Sequence, residues 1–225
     1  MRIALLHGFL GSPEVWNDIA PAPARAVPLP GHGGGPVRAT WDANLDAVAD
    51  EIGACDLVVG YSLGARVALG LVATKRVPRG VLVSVNPGIP DDERAARRAS
   101  DAAWAAKLRT EGLAAFLAAW EAQPLFATQA RVPQALRDAR KARRASLDPE
   151  QLARSLEVMG LAEMPDYRRY VDARCTLVVG ADDAKYVALA NALPARVEII
   201  AACGHDPTLE QPRALAAILA AATGT

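Results

Sequence analysis

The stretch Val58-Val59-Gly60-Tyr61-Ser62-Leu63-Gly64-Ala65 decides how the rest of the chain is read. An apolar run suited to a buried strand breaks at Gly60, and a helical pattern follows over Ala65–Thr74. In that setting Gly-x-Ser-x-Gly is the signature of a nucleophile elbow, a strand-to-helix turn so tight that the serine backbone is strained and its neighbours must lack side chains. Gly60 and Gly64 supply the room. The turn also sets Ser62 at a helix N-terminus, where unpaired backbone N–H groups and the helix dipole favour developing negative charge. Ser62 is the candidate reactive hydroxyl.

Working outward, 225 residues with 52% hydrophobic content can bury one substantial core. Lys plus Arg and Asp plus Glu number 25 each, so no global field recruits nucleic acid or an anionic membrane. Charge selectivity must be local. The apolar opening Met1–Leu6 is too short before His7-Gly8 for a signal peptide, and no run approaches a membrane span, so a cytoplasmic protein is expected. Cys55, Cys175 and Cys203 are odd in number and widely spaced, which disfavours both a disulfide framework and a zinc site.

Strand texture appears at Arg2–Leu6, Ala24–Leu29, Asp56–Gly60, Val81–Val85, Cys175–Gly180 and Arg196–Ile200, with helical spacing at Trp41–Ile52, Lys185–Leu193 and Thr208–Ala222. The glycine-bearing loops His7–Ser12 and Pro30–Pro36 follow the first two strands. The second lacks the Gly-Lys-Ser/Thr of a phosphate loop, and no helix begins promptly after it. From Asp91 to Tyr170 the chain is rich in Ala, Arg and Glu with helical periodicity, broken at Pro124, Pro133, Pro149 and Pro165. The pattern predicts an α/β fold, a mainly parallel sheet flanked by helices with active groups at the carboxyl ends of the strands. Residues 1–90 and 171–225 form the core, and three or four helices over 91–170 are inserted between two strands as a lid.

A serine hydroxyl needs a base, and the chain has three histidines. In sheets that carry this elbow the chain order is serine, acid, histidine, and only His205 follows Ser62. The orienting carboxylate belongs after the preceding strand, where Gly180-Ala181-Asp182-Asp183 offers two. Asp183 is preferred because Gly-x-x-Asp lets the loop turn first; Asp182 is the alternative. His7 is read as a prop for the first loop.

His7-Gly8-Phe9-Leu10-Gly11-Ser12 with Trp16, the loop Pro30-Gly31-His32-Gly33, and Gly60–Arg66 resemble α/β-hydrolases of the 2-succinyl-6-hydroxy-2,4-cyclohexadiene-1-carboxylate synthase family of menaquinone biosynthesis. More specific are Asn86-Pro87-Gly88-Ile89, Glu93–Arg97 with Asp101 and Trp104, Trp120–Ala127, and Gly180–Tyr186. The resemblance covers nearly the whole chain. It implies an α/β-hydrolase fold and a lyase that eliminates pyruvate from 2-succinyl-5-enolpyruvyl-6-hydroxy-3-cyclohexene-1-carboxylate, without a cofactor. It implies oxyanion-hole N–H groups at Phe9 and Leu63. A small polycarboxylate substrate needs fixed cations in its pocket, and the resemblance carries that role to Arg66, Arg94, Arg97 and Arg144, with Tyr61 and Trp120 as walls. For most of the basic stretch, which also holds Arg137, Arg140, Lys141 and Arg143, a solvated helix face is the reading.

The sequence departs from that pattern at Ala65, at Glu121 where the family has a tyrosine, and at Asp206-Pro207-Thr208-Leu209 after Gly204-His205. An acidic Glu121 opposes a polyanionic ligand unless it points outward or pairs with an arginine. Two other readings stand beside the lyase: a Ser-His-Asp hydrolase of carboxylic esters or C–C bonds in small anionic molecules, and a silent binding module. The sequence leaves the oligomeric state open.

Overall fold

The structure, a computed structural model, describes residues 1–224. Six strands form one parallel sheet: β1 (Ile3–Leu6), β2 (Ala24–Val27), β3 (Leu57–Tyr61), β4 (Gly80–Val83), β5 (Cys175–Gly180) and β6 (Arg196–Ile200). Their order across the sheet is β2-β1-β3-β4-β5-β6, so the winding reverses between β1 and β3. Crevices for ligands open at such a reversal, beyond the carboxyl ends of the strands.

Both faces of the sheet are covered, which is why its central strands read as near-continuous apolar runs. Ala4, Leu6, Val58, Leu177 and Val179 point to one face, where α1 (Trp41–Ile52) and α2 (Leu63–Ala73) bury Leu45, Val48 and Leu69. The alternate residues Ile3, Leu5, Val59 and Val178 point to the other, against Trp16 and against Leu215 and Leu219 of the C-terminal helix. Val58 and Val59 are fully buried, each contributing about 1.5–3 kcal/mol of transfer free energy. The elbow is thus held by a strand with almost no freedom to shift.

Between β4 and β5 run α3 (Asp91–Glu121), a 3₁₀ segment (Pro124–Arg131), α4 (Gln134–Arg144) and α5 (Pro149–Val158). α3 is two helical arms, kinked at Gly112 (φ 79°, ψ 173°). These helices have an apolar cluster of their own, in which Ala105, Leu108 and Phe116 meet Leu152, Ala153 and Leu156. Leu10 belongs to the same cluster and ties it to the loop after β1.

After β5 come α6 (Ala184–Asn191), β6, α7 (Pro207–Glu210) and α8 (Pro212–Thr223). The single helix expected over Thr208–Ala222 is therefore two. Gln211 (φ −142°, ψ 56°) is non-helical, because the ring of Pro212 disfavours the helical conformation in the residue before it. Trp41–Ile52, Cys175–Gly180 and Arg196–Ile200 fall as expected, and the other element edges shift by one or two residues, as at β2, which stops at Val27 ahead of Pro28. No helix among the described residues is long and apolar enough to cross a membrane.

Candidate active site

The elbow is built as its glycines require. Ser62 sits at φ 52°, ψ −108°, a conformation that L-residues rarely adopt. Its N–H donates to Val83 O at 2.9 Å, pinning the turn to β4. A Cβ on Gly60 would stand 2.2 Å from Gly64 O, and one on Gly64 would stand 2.3 Å from Leu6 O. Any side chain at either position would force the turn open, so the strain at Ser62 is imposed by close backbone approach.

Around Ser62 the chain brings two distant loops together. His205 Nε2 lies 3.3 Å from Ser62 Oγ, and His205 Nδ1 lies 2.8 Å from Asp183 Oδ2. A carboxylate only accepts, so Nδ1–H donates to Asp183 and leaves Nε2 to accept from the serine hydroxyl. His205 is 2% exposed and Asp183 7%, so water competes little for this chain of bonds. Asp183 also caps α6, accepting from Tyr186 N–H at 3.3 Å. Asp182, the alternative carboxylate, instead turns out to pair with Arg131 at 2.5 Å. Leu63 is the first residue of α2, where an N–H has no acceptor within the helix. A Cβ on Gly8 would be 3.4 Å from Ser62 Cβ, which sets the Gly8-Phe9 peptide against the serine.

These groups open into a cavity of about 530 Å³ whose wall includes Tyr61, Arg66, Arg97, Trp120 and Arg144. Arg66 donates to Met159 O at 2.8 Å, and burial, reinforced by the nearby Arg97, lowers its pKa to about 10. It remains a cation at neutral pH. Arg97 Nε pairs with the buried Asp101 at 2.8 Å. Arg144 donates to Leu10 O at 3.2 Å and to Glu121 at 2.7 Å. The acidic Glu121 is therefore neutralised by an arginine of the same wall. Trp120 stacks on Phe116 with centroids 5.3 Å apart and meets Phe9 at 5.2 Å.

Arg94 does not join this wall. Its guanidinium donates to Ala162 O at 2.5 Å and Met164 O at 2.9 Å, fastening α3 to the segment after α5. The three-residue spacing puts Arg94 and Arg97 near one face of the helix, but side chains offset by about 300° still diverge at their tips. The basic stretch is corrected too. Arg140 is buried and Arg137 half-buried, on the side of α4 that also carries Arg144, while Lys141 and Arg143 are solvated. Sequence reasoning missed Lys185 and Tyr186, which line the cavity beside the acid loop. The Tyr186 ring lies 4.5 Å from that of His205. Lys185 was open to the same polyanion argument that selected the arginines.

His7 and His32 brace the loop after β1. Leu29 N–H donates to His7 Nε2 (3.1 Å) and Leu10 N–H to His32 Nε2 (3.2 Å), so each ring is held as the neutral Nδ1–H tautomer, bonded to Gly8 O and Pro30 O. Burial lowers the His7 pKa to about 3 and that of His32 to about 4. Below pH 6.5 the unfolded chain binds protons that the folded chain refuses, so stability falls as pH drops from 6.5 toward 4. The slope is about 1.4 kcal/mol per pH unit for each histidine. Urea unfolding at pH 7.0 and pH 4.5 measures it, and His32→Gln should flatten the dependence; an unchanged slope in that variant would sink the assignment.

Comparison with known proteins adds an independent line. Residues 3–218 match the Alpha/beta hydrolase family. The chain is 35% identical to a Klebsiella pneumoniae (strain 342) protein named 2-succinyl-6-hydroxy-2,4-cyclohexadiene-1-carboxylate synthase, over 97% of this chain and 92% of that one. A protein of the same name from Shigella sonnei (strain Ss046) is 34% identical over the same shares. Among solved structures, MenH from S. aureus superposes with a TM-score of 0.89 at 24% identity, covering 98% of this chain and 92% of that one. A thermophilic esterase from Thermogutta terrifontis gives 0.79 at 23%, covering 100% and 89%. At such identities the structural likenesses speak for the fold alone.

Proposed function

The chain belongs to the alpha/beta hydrolase family, and from that premise we propose that it is a lyase of menaquinone biosynthesis acting in the cytoplasm. It converts 2-succinyl-5-enolpyruvyl-6-hydroxy-3-cyclohexene-1-carboxylate to 2-succinyl-6-hydroxy-2,4-cyclohexadiene-1-carboxylate and pyruvate. The observation that carries the reading is the Ser62–His205–Asp183 chain opening into a cavity walled by Arg66, Arg97 and Arg144. Relatives 34–35% identical over 97% of the chain bear that synthase name, which supports the choice of reaction.

In this mechanism His205, held by Asp183, draws the proton from Ser62, and the serine oxygen removes the acidic ring proton beside the succinyl ketone. The electron pair of that C–H bond moves into the ring as the ketone takes on enolate character. Backbone N–H groups of Phe9 and Leu63 hold the developing oxyanion. The electrons then form the second ring double bond as the C–O bond to the enolpyruvyl group breaks. Pyruvate leaves as its enolate and takes up the proton stored on His205. Atoms and electrons balance within substrate and side chains, so the chemistry calls for no cofactor. Residues 91–170 act as a lid over a core made of 1–90 and 171–225, and the arginines hold the carboxylates that would otherwise be buried unpaired.

The hydrolase reading uses the same triad with Ser62 as nucleophile. The two part on product. With freshly generated enolpyruvyl substrate the protein should release pyruvate stoichiometrically, with kcat/KM at least about 10³-fold above its value for p-nitrophenyl acetate, inside the usual enzymatic range. Rapid ester turnover without pyruvate would favour the hydrolase.

A further inference from the structure

α4 turns two arginines, one helical turn apart, toward the core. Arg144 reaches Leu10 O on the loop that carries Phe9, at 3.2 Å. Arg140 reaches the loop that carries His205: its Nη1 donates to Asp206 Oδ2 at 3.4 Å and its Nη2 to Gln129 Oε1 at 2.6 Å. Asp206 is the residue after His205, and its second oxygen accepts from the Thr208 hydroxyl at 2.5 Å. Arg140 is 9% exposed and Asp206 4%.

The His205 loop is clamped from the core side as well. Glu210 accepts the N–H of Gly204 at 2.8 Å and of Asp206 at 3.2 Å. A Cβ on Gly204 would stand 2.0 Å from Thr128 Oγ1, so the 3₁₀ segment lies directly on this loop. A buried ion pair of this kind spends most of its Coulomb attraction on desolvation and adds little net stability. Its effect is to fix where the chain lies. The charge that does so sits on an inserted helix, 66 positions away from its partner in sequence.

We propose that Arg140 is a positioning residue for His205, seating the inserted helices on the imidazole-bearing loop through the Arg140–Asp206 pair so that Nε2 faces Ser62. Arg144, reaching the Phe9 loop from the same helix, makes α4 a brace across both loops of the site. The inference rests on the Ser62–His205–Asp183 reading, and the test separates the two.

A fluorophosphonate labels a serine only where the imidazole activates it, and it carries none of the substrate's carboxylates. In the full-length protein the parent should label and Ser62→Ala should not; failure at this step would overturn the triad reading, not the brace. Given that labelling, Arg140→Gln should slow it about tenfold or more in protein that circular dichroism shows to be folded. The same variant should lower kcat for pyruvate release with KM changed less than about threefold, and Arg140→Lys should recover part of both. Thr208→Val, which removes one bond to Asp206 and leaves the arginine in place, should slow labelling about threefold and gives the readout if Arg140→Gln does not fold. Folded Arg140→Gln or Thr208→Val protein labelling within twofold of the parent rate overturns the proposal. A raised KM with unchanged kcat would overturn it too, by making Arg140 a substrate-binding cation.

Discussion

Alanine at position 62 should lower pyruvate release by about 10³-fold or more while the protein stays folded. The loss follows from position: the Ser62 hydroxyl is 3.3 Å from His205 Nε2, and its oxygen is the atom proposed to take the ring proton. In the proposed mechanism its loss leaves the imidazole no relay to the substrate, and only binding by the arginines and oxyanion-type stabilisation would remain. A companion variant separates chemistry from structure. Ser62 holds φ 52°, ψ −108°, where a side chain costs about 1–3 kcal/mol. Ser62→Gly should therefore be as inactive as Ser62→Ala yet more stable than the parent by about 1 kcal/mol, after the added entropy of the unfolded chain is subtracted. Pyruvate assay and thermal unfolding of both variants check the pair; retention of more than a tenth of the parent activity in either would remove Ser62 from the mechanism.

How much of this was legible in the sequence depended on how local each constraint is. The elbow could be read because its demands are packed into five residues: Gly60 and Gly64 each meet backbone at less than 2.5 Å from a notional Cβ. The parallel sheet is readable because burial on both faces makes the central strands apolar at consecutive positions, as Val58 and Val59 show. Loop spacing and the resemblance carried by Gly180–Tyr186 both favour Asp183 over Asp182, and the Asp183 contact with His205 lies on that side of the choice. The resemblance places Arg94 in the pocket, but neither resemblance nor spacing on a helix reveals a side chain's partner. The carbonyls of Ala162 and Met164 that capture it lie 68 and 70 residues downstream. Arg140 was read as solvated for the same reason: its charge looks wasted in sequence, and only the fold brings up Asp206. The sign of Glu121 was visible, but not that Arg144 would absorb it.

Replacing Arg97 by alanine should cost about 10²–10³-fold in kcat/KM for the enolpyruvyl substrate, more than the loss of one cation explains. Arg97 does two jobs. It faces the cavity, and it holds the carboxylate of Asp101, whose side chain is 6% exposed and lines the same cavity. Truncation removes an attractive charge and also leaves a buried anion unpaired beside a polycarboxylate, and breaking such a pair costs about 2–5 kcal/mol. At 1.4 kcal/mol per tenfold this brackets the expected loss. The two contributions separate in the double variant Arg97→Ala/Asp101→Asn, where the stranded charge is gone and only the missing cation remains. That protein should recover about tenfold over Arg97→Ala. Fluorophosphonate labelling of Ser62 should differ little among parent, single and double variants, because the probe bears no carboxylate. Equal kcat/KM in the single and double variants would show that Asp101 does not oppose the ligand, and a matching fall in labelling would show that Arg97 supports the triad instead of the substrate.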